Sequence, residues 1–236
     1  MKKIITSLAF IVLSAFAIAQ ENYTIKMNVK VEGMPPEMAG FGDQDIITYV
    51  KGDKNKTEIT SMMGNQTVFF DGKIHTVLVE AMGNKSGYTA TKEEMEEANK
   101  RSGSADNKPK IEYTTEKKMI AGYECTKAIV TTAGINKDAK ENKITVWVTD
   151  KIISNTAKGK KSNGAMSVDL GDLKGYPLQM EMAQSMQGMD MKISVTTSEV
   201  TTKPIDETVF KVNTEGYKMS TFKEYSEKMK AYQAPH

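Results

Sequence analysis

The chain has 236 residues, with 32 Lys and Arg against 30 Asp and Glu, so its formal net charge is +2. Lys2 and Lys3 supply that surplus, and without them the basic and acidic side chains are equal in number. Equal numbers argue against a nucleic-acid binder, which needs a basic surplus on one face.

The first nineteen residues have the pattern of a secretory signal. Two lysines precede an apolar run from Ile4 to Ile18, and Ala17-Ile18-Ala19 is a small-x-small cleavage motif. We expect cleavage between Ala19 and Gln20, which leaves a single β-rich domain over 20–236. No later stretch reaches the roughly 20 apolar residues of a membrane span. The residue directly after the cleavage site is not a cysteine, so it cannot carry a lipid there. The sequence predicts an exported protein, in the periplasm or outside the cell, without a lipid anchor.

Few of the side chains that usually do chemistry remain after cleavage. They include two histidines, His75 and His236, one cysteine, Cys125, and one arginine, Arg101. The sequence contains no Gly-x-Ser-x-Gly, His-Glu-x-x-His, Cys-x-x-Cys or Gly-x-x-x-x-Gly-Lys motif. One usable histidine cannot form a His-rich metal site. We therefore predict a protein that is not an enzyme and that carries no cofactor.

The hydrophobic residues are unusual because methionine replaces leucine. The chain contains 17 methionines. Leu78, Leu170, Leu173 and Leu178 are the only leucines after the cleavage site. Methionine is flexible and polarisable, so it fills irregular space and suits a surface that repacks around different ligands.

Short segments rich in Val, Ile, Thr and Tyr, bounded by Gly, Asn or Lys, predict about ten strands of an antiparallel sheet. In chain order they are Tyr23–Val31, Asp45–Val50, Lys56–Met62, Gln66–Phe70, Lys73–Glu80, Ile111–Lys117, Tyr123–Thr132, Lys143–Thr149, Leu178–Met182 and Met189–Thr201.

Asp71-Gly72 predicts a two-residue type I′ hairpin between the fourth and fifth strands. That turn would place Phe69 opposite Ile74, and Val68 opposite His75 on the other face. Both faces of the hairpin then carry apolar side chains, so we expect helices against one face and a cavity or second layer against the other.

Two capping boxes predict two helices. The first box starts at Thr91 and its helix runs to about Lys100. The second starts at Thr221 and predicts a C-terminal helix over about 221–233. Phe222, Tyr225, Met229 and Tyr232 form one stripe of that helix, which we expect to pack on the sheet.

Three motifs carry a resemblance to a known group of proteins. They are Lys118–Ala128 (KMIAGYECTKA), Ile144–Thr149 (ITVWVT) and Gly175–Met182 (GYPLQMEM), and Phe210 with Gly216–Met219 (GYKM) completes the pattern. Their order and spacing resemble secreted bacterial proteins with a domain of unknown function. The resemblance covers about residues 110–220.

That group is similar to the GLPGLI proteins and looks, more remotely, like the lipoprotein-localisation carriers. The resemblance implies a mainly β (α+β) fold, in which a bent antiparallel half-barrel is closed by two or more helices around an apolar cavity. It implies a binding or carrier protein and transfers no catalytic residue.

The most distinctive candidate site is a set of apolar side chains that alternation places on one face of two successive strands. We call it the methionine wall: Leu178, Met180, Met182, Met189, Met191 and Ile193. Our leading hypothesis is that this wall lines an adaptable cavity for a lipid, an acyl chain or another apolar small molecule. A filled core with no cavity, in a structural or interaction protein of the cell envelope, is an equal alternative, and any envelope protein partner stays unidentified.

A copper hypothesis competes with the lipid hypothesis. Soft thioethers select Cu(I), and five methionines lie within twelve residues: Met180, Met182, Met186, Met189 and Met191. No histidine or cysteine adjoins them, and ordinary strand alternation explains the same spacing.

Three further residues have expected structural roles. Cys125 is unpaired, and we expect it to be buried in a strand. His75 is expected in mid-strand as a hydrogen-bonded residue opposite Val68. Trp147 is expected under a helix, or alternatively at the mouth of a cavity.

Overall fold

The structure is a computed structural model that describes residues 22–102, 109–132, 141–152, 170–186 and 189–233. In this part of the chain, twelve β-strands form one open, curled sheet accompanied by two α-helices. The expected signal and its cleavage site lie outside the described residues.

The strands are β1 (Asn22–Glu32), β2 (Gln44–Lys51), β3 (Lys54–Ser61), β4 (Gly64–Phe70), β5 (Ile74–Ala81), β6 (Asn84–Thr91), β7 (Lys110–Ile120), β8 (Tyr123–Thr132), β9 (Asn142–Thr149), β10 (Tyr176–Met186), β11 (Met189–Thr201) and β12 (Lys218–Thr221). The helices are α1 (Lys92–Ser102) and α2 (Phe222–Gln233), and short 3-10 helices occupy Pro36–Met38 and Glu207–Phe210.

Strand order across the sheet is β12-β6-β5-β4-β3-β2-β1-β11-β10-β9-β8-β7. Every neighbouring pair is antiparallel except β12 with β6, which is parallel. Two series of hairpins therefore extend from the central pair of β1 with β11. That pair joins residues far apart in sequence, such as Val29 and Val195.

Register defines the two faces of the sheet. Val29 lies opposite Val195, Val195 opposite Met180, and Met180 opposite Val146, so these four side chains share the face that we call the inner face. The residues between them point to the outer face. Most of the buried apolar side chains belong to the inner face, including Val29, Ile46, Val130, Val146 and Val195.

The sheet differs from the expected half-barrel in strand number and in closure. It has twelve strands rather than about ten. The described helices contact β6 and β12, at one end of the strand order, rather than crossing the middle of the sheet. α2 packs there through Phe222 and Tyr225, whose rings lie 5.8 and 4.2 Å from the ring of Tyr88. Burial beneath this helix raises the pKa of Tyr88 to about 12.

Both helices begin at the predicted capping boxes. The Thr91 N–H donates to Glu94 Oε2 (2.8 Å), and the Glu94 N–H donates to Thr91 Oγ1 (3.2 Å). Thr221 and Glu224 repeat the same exchange at the start of α2. Each box satisfies N–H groups that the first turn of a helix leaves without partners.

The turn between β4 and β5 is longer than predicted. Phe70 lies opposite His75, and three residues, Asp71-Gly72-Lys73, separate the two strands instead of two. Asp71 Oδ1 accepts from the N–H groups of Lys73 and Ile74, both at 2.8 Å. The register differs from the prediction by two residues, and His75 stacks on Phe70 instead of facing Val68. A shift of two keeps every side chain on its predicted face.

The expected cover of this hairpin is observed on the outer face, where a 3-10 helix supplies it. On the outer face, the ring of Phe69 lies 6.4 Å from that of Phe210, in the second 3-10 helix. Lys51 Nζ donates to the Ile205 carbonyl (3.0 Å) and pairs with Glu207 (2.8 Å), which attaches the same segment. The inner face carries Val77, which is buried.

Sequence patterns did not predict β6, because Gly87 stands where a strand pattern would have an apolar side chain. A Cβ at Gly87 would lie 2.6 Å from the Val77 carbonyl oxygen, 2.7 Å from Leu78 Cδ2 and 2.9 Å from Met219 Sδ. Gly87 thus leaves room for the side chains of Leu78 and Met219, so β6 packs well while showing almost no apolar alternation. β12 was missed because it has four residues and pairs in parallel.

The Asp71 turn gives a test of the longer loop. The N–H groups of Ile74 and Lys73 hold the pKa of Asp71 below its usual value. Its contribution to stability is therefore complete above the unfolded pKa of about 3.9 and is lost as the pH falls through the lower folded pKa. We expect Asp71→Ala to lower the free energy of unfolding by about 1 kcal/mol at pH 7 in urea titrations.

Asp71→Asn is the matched control because it keeps the acceptor oxygen and removes the titration. Its stability should stay close to wild type at pH 7 and show less dependence on pH between about 5 and 2. Equal losses for the alanine and asparagine variants would contradict the assigned role of Oδ1.

Candidate functional site

The methionine wall lies on two neighbouring strands near the centre of the sheet. Met180 is opposite Val195, Met182 opposite Ile193, and Met191 opposite Gln184. β10 extends further than predicted, whereas β11 has its predicted bounds, so Met189 is opposite Met186. Five of the six wall residues occupy inner-face positions, in line with strand alternation, and Leu178 lies at the register shift between Pro177 and Gln179. That they bind a ligand stays a prediction.

Burial varies within the wall. Leu178 and Met191 are 1% and 7% exposed, whereas Met180, Met182, Met189 and Ile193 are only partly buried. Met180 packs against two clusters of buried side chains, one around Val130 and Val146 and one around Val29, Ile46 and Ile59. Met180 therefore lies between two clusters of buried side chains, whereas Met182 packs against the first and Ile193 against the second.

Charge is divided between the two faces of the sheet. In the described strands β1–β6 and β9–β11, no inner position holds Asp, Glu, Lys or Arg. The charged residues of these strands occupy outer positions, where Lys26 pairs with Glu199 (2.7 Å) and Lys56 with Glu58 (2.8 Å). The inner face is thus an uncharged surface that runs across nine strands.

Thr197 is one of several uncharged polar residues on this face, which also include Gln44 and Thr48. Its side chain is 3% exposed, and its hydroxyl has no hydrogen-bond partner among the described residues. It lies opposite Met27. A buried hydroxyl without a partner costs about 1–3 kcal/mol of stability relative to a satisfied one, so this atom marks a place where a bound group would be stabilised.

The register limits the copper alternative. Met180 lies opposite Val195, which is six residues from Met189 along β11, or about 20 Å. Five thioethers spread over that length cannot meet at one ion, so a copper site would use a subset of them. The Met186 side chain lies outside the described residues.

An open cleft of about 360 Å³ lies elsewhere, at the end of β1, β2 and β3. Seven of its nine lining residues are of polar or charged type, and no residue of the methionine wall belongs to it. Lys30 pairs with Asp43 in this lining, and Asn28 donates to Asp45. The described residues hold no cluster of three or more His, Cys, Asp or Glu suited to a metal ion.

Trp147 lies on the outer face beneath a cation rather than under a helix. Lys118 Nζ is 4.1 Å from the centre of the Trp147 ring and donates to Gln179 Oε1 (2.7 Å). An ammonium over an indole face is a stabilising cation–π contact. The prediction that Trp147 packs under a helix is therefore wrong for the described part of the chain.

Sequence reasoning missed a group of exposed apolar side chains at the turns. Met62 is 72% exposed and Met82 is 83% exposed. Met62-Met63 and Met82-Gly83 stand between strand patterns where Asn, Asp and Gly are the usual turn residues. Methionine in place of the usual turn residues is the sequence signal that could have identified these exposed side chains.

Comparison with models of protein families identifies the family of this chain. The family described as Domain of unknown function (DUF4412) matches residues 27–217, from within β1 to the residue before β12. The chain belongs to this family. The match confirms the domain-of-unknown-function resemblance, while kinship of this DUF4412 domain with the GLPGLI proteins stays a prediction. Comparison with curated proteins found no match.

Solved structures give weaker likenesses to the DUF4412 domain. PNGF-II is 17% identical with a TM-score of 0.47, and the match covers 90% of this chain but 33% of that one, so the chain spans about a third of its length. The lipoprotein LppX of Mycobacterium tuberculosis is 13% identical (TM-score 0.37, covering 78% and 88%). A LolA superfamily protein from Nitrosomonas europaea is 12% identical (TM-score 0.33, covering 82% and 91%). Scores of this size fall short of showing a shared fold.

No helix among the described residues is long and apolar enough to cross a bilayer.

The thiol of Cys125 provides a test of burial in the sheet. Cys125 is 0% exposed, as predicted, and burial raises the pKa of its thiol. A protonated, inaccessible thiol reacts slowly with disulfide reagents. We expect no reaction with 5,5′-dithiobis(2-nitrobenzoate) in native buffer and complete reaction in denaturing urea. Cys125→Ala with Ala183→Cys is the control, because position 183 is exposed and should react at once. Rapid labelling of native wild type would contradict the burial.

Proposed function

We propose that the chain is an exported, non-enzymatic protein that binds an uncharged apolar ligand on the inner face of its curled sheet. The observation that carries this proposal is the division of charge, which leaves the inner positions of nine strands without Asp, Glu, Lys or Arg. A surface of this composition gains about 25 cal/mol for each Å² of apolar area that it buries. The proposal includes cleavage after Ala19 and one mature domain over 20–236.

The methionine wall supplies the adaptable part of the proposed site. Met180, Met182 and Ile193 are partly buried against two clusters of buried side chains, so they retain apolar area for further contact. Unbranched thioethers change rotamer at low cost, which suits a ligand of variable shape.

The ligand class follows from the absence of charge at these described positions. An ionised head group placed against this face would lose its hydration without gaining a counterion, at a cost of several kcal/mol. The Thr197 hydroxyl offers one hydrogen bond to an ester, an amide or another neutral polar group. We therefore propose a lipid or acyl ligand whose buried part is neutral.

The first test compares binding by three forms of the protein. We expect a lipid to be extracted with organic solvent from protein purified without detergent, and saturable binding of the uncharged dye Nile red to the emptied protein. Replacing Met180 and Met182 together with Gln should weaken Nile red binding about tenfold, because apolar contact area is lost. The proposal would be contradicted if no lipid were extracted and Nile red binding were not saturable.

Replacing the same two methionines with Leu is the matched control. Leu keeps the apolar character and nearly the volume, so lipid and dye binding should be retained. Leu has no sulfur, so this pair also tests copper by competition against a Cu(I) chelator. Copper taken up by wild type and lost in the Leu pair, with no lipid present, would favour the copper alternative instead.

Thr197→Val separates a ligand site from a filled core. If the hydroxyl bonds to a neutral ligand group, the variant should hold the extracted lipid about fivefold more weakly while Nile red binding is unchanged. Quantitative mass spectrometry of the extract measures the first quantity. A variant that is more stable than wild type and carries the same amount of lipid would show that Thr197 is only a core residue.

A further inference from the structure

Apolar side chains project from consecutive turns at one end of the sheet. This end carries the connections that follow β1, β3 and β5. We call the exposed apolar residues of these connections the methionine rim. Met62, Met63 and Met82 are 72%, 50% and 83% exposed, and Met38 and Phe41 in the β1–β2 connection are 44% and 43% exposed.

The turns at the opposite end of the same strands are polar, although Ile74 beside the β4–β5 turn is 43% exposed. There the β2–β3 turn is Gly52-Asp53 and the β4–β5 turn is Asp71-Gly72-Lys73. Apart from the longer β1–β2 connection, tight turns join the six strands at both ends. Turn geometry alone therefore does not explain why one end carries methionine and phenylalanine.

Met82 occupies a backbone conformation that suits other residues. Its φ is +50° and that of Gly83 is +76°, as in a type I′ turn, where Asn, Asp and Gly are preferred. Met82 gains little packing in return, because its side chain is the most exposed of the large apolar residues described. Strain without a packing gain is typical of a functional position.

The rim turns lie beside one another and beside the inner face. A Cβ at Gly40 would be 3.6 Å from Met62 Sδ, so the tip of the β3–β4 turn approaches the β1–β2 connection. Gly42 packs against Val31, which occupies the last inner position of β1 and is partly buried. Successive turns are two strands apart, or about 10 Å. The rim is therefore continuous with the proposed ligand face.

Charges near the rim leave no cationic surplus. Lys30 pairs with Asp43, and Lys85 pairs with Glu80 at 3.3 Å. Glu32 and Glu37 add negative charge to the same end. This balance is unsuited to nucleic acid or to a cluster of anionic lipids, both of which require lysine or arginine.

We propose that the methionine rim inserts into the interface of an electrically neutral lipid bilayer. Separate protruding tips about 10 Å apart fit a fluid interface, which fills the space around each tip. A folded protein partner would need a matching pocket for every tip. The rim site goes beyond the ligand site and fails separately, since a rim-defective protein can still bind Nile red.

Vesicle flotation tests the rim. We expect wild type to float with vesicles of phosphatidylcholine, with no gain on adding phosphatidylglycerol and no loss in 0.5 M salt. The double variant Met62→Thr with Met82→Asn should bind about tenfold more weakly, because two inserted side chains are lost. Asn suits a positive φ, so this variant should remain folded, which a thermal melt checks.

Met119→Thr is the matched control. Met119 is 65% exposed but lies at the opposite end of the sheet, near the β7–β8 turn, so its loss should not change flotation. The proposal is overturned if wild type ignores the vesicles, if binding needs anionic lipid and disappears in salt, or if both variants float equally. Self-association of wild type that the rim variant abolishes, without vesicle binding, would assign the rim to a second copy of the chain.

Discussion

Side chains of a β-strand alternate between two faces, and the strands from β1 to β6 keep their charged residues on one of them. A slip of one residue in any of these strands would turn residues such as Lys26, Lys56 or Glu58 towards the inner face. The cost of burying those charges fixes the register far more firmly than any single contact. The β4–β5 turn shows the limit of this constraint, since a shift of two residues leaves the faces unchanged.

The pairing of β1 with β11 shows how an irregularity preserves the same division. The register shifts between Lys26 and Met27, where Ser198 has no partner in the ladder. Below the shift Met27 faces Thr197, and above it Lys26 faces Glu199 with an ion pair on the outer face. The bulge thus restores both the outer pairing of charges and the inner position of Val200 after an extra residue.

Much of the fold could be predicted because local patterns determine it. Ten strands follow from β-branched segments, and both helices begin where their capping boxes predict. β6 escaped because its packing depends on the missing side chain of Gly87, which acts through Leu78 and Met219 on other strands. The shared face of the methionine wall follows from alternation, whereas its partial burial does not. Burial on a curled sheet depends on residues such as Val29 and Val130 that are distant in sequence.

The division of charge between the two faces of the sheet and the difference in apolar exposure between its two ends have separate physical causes. Uncharged inner positions favour folding, because the sheet buries or partly buries most of them. The rim contributes almost nothing to burial, since Met82 is 83% exposed and its backbone would be more relaxed with Asn. Folding stability therefore cannot account for methionine at Met62 and Met82. A contact that forms after folding can, and the lack of a cationic surplus at that end favours an apolar interface over an anionic one.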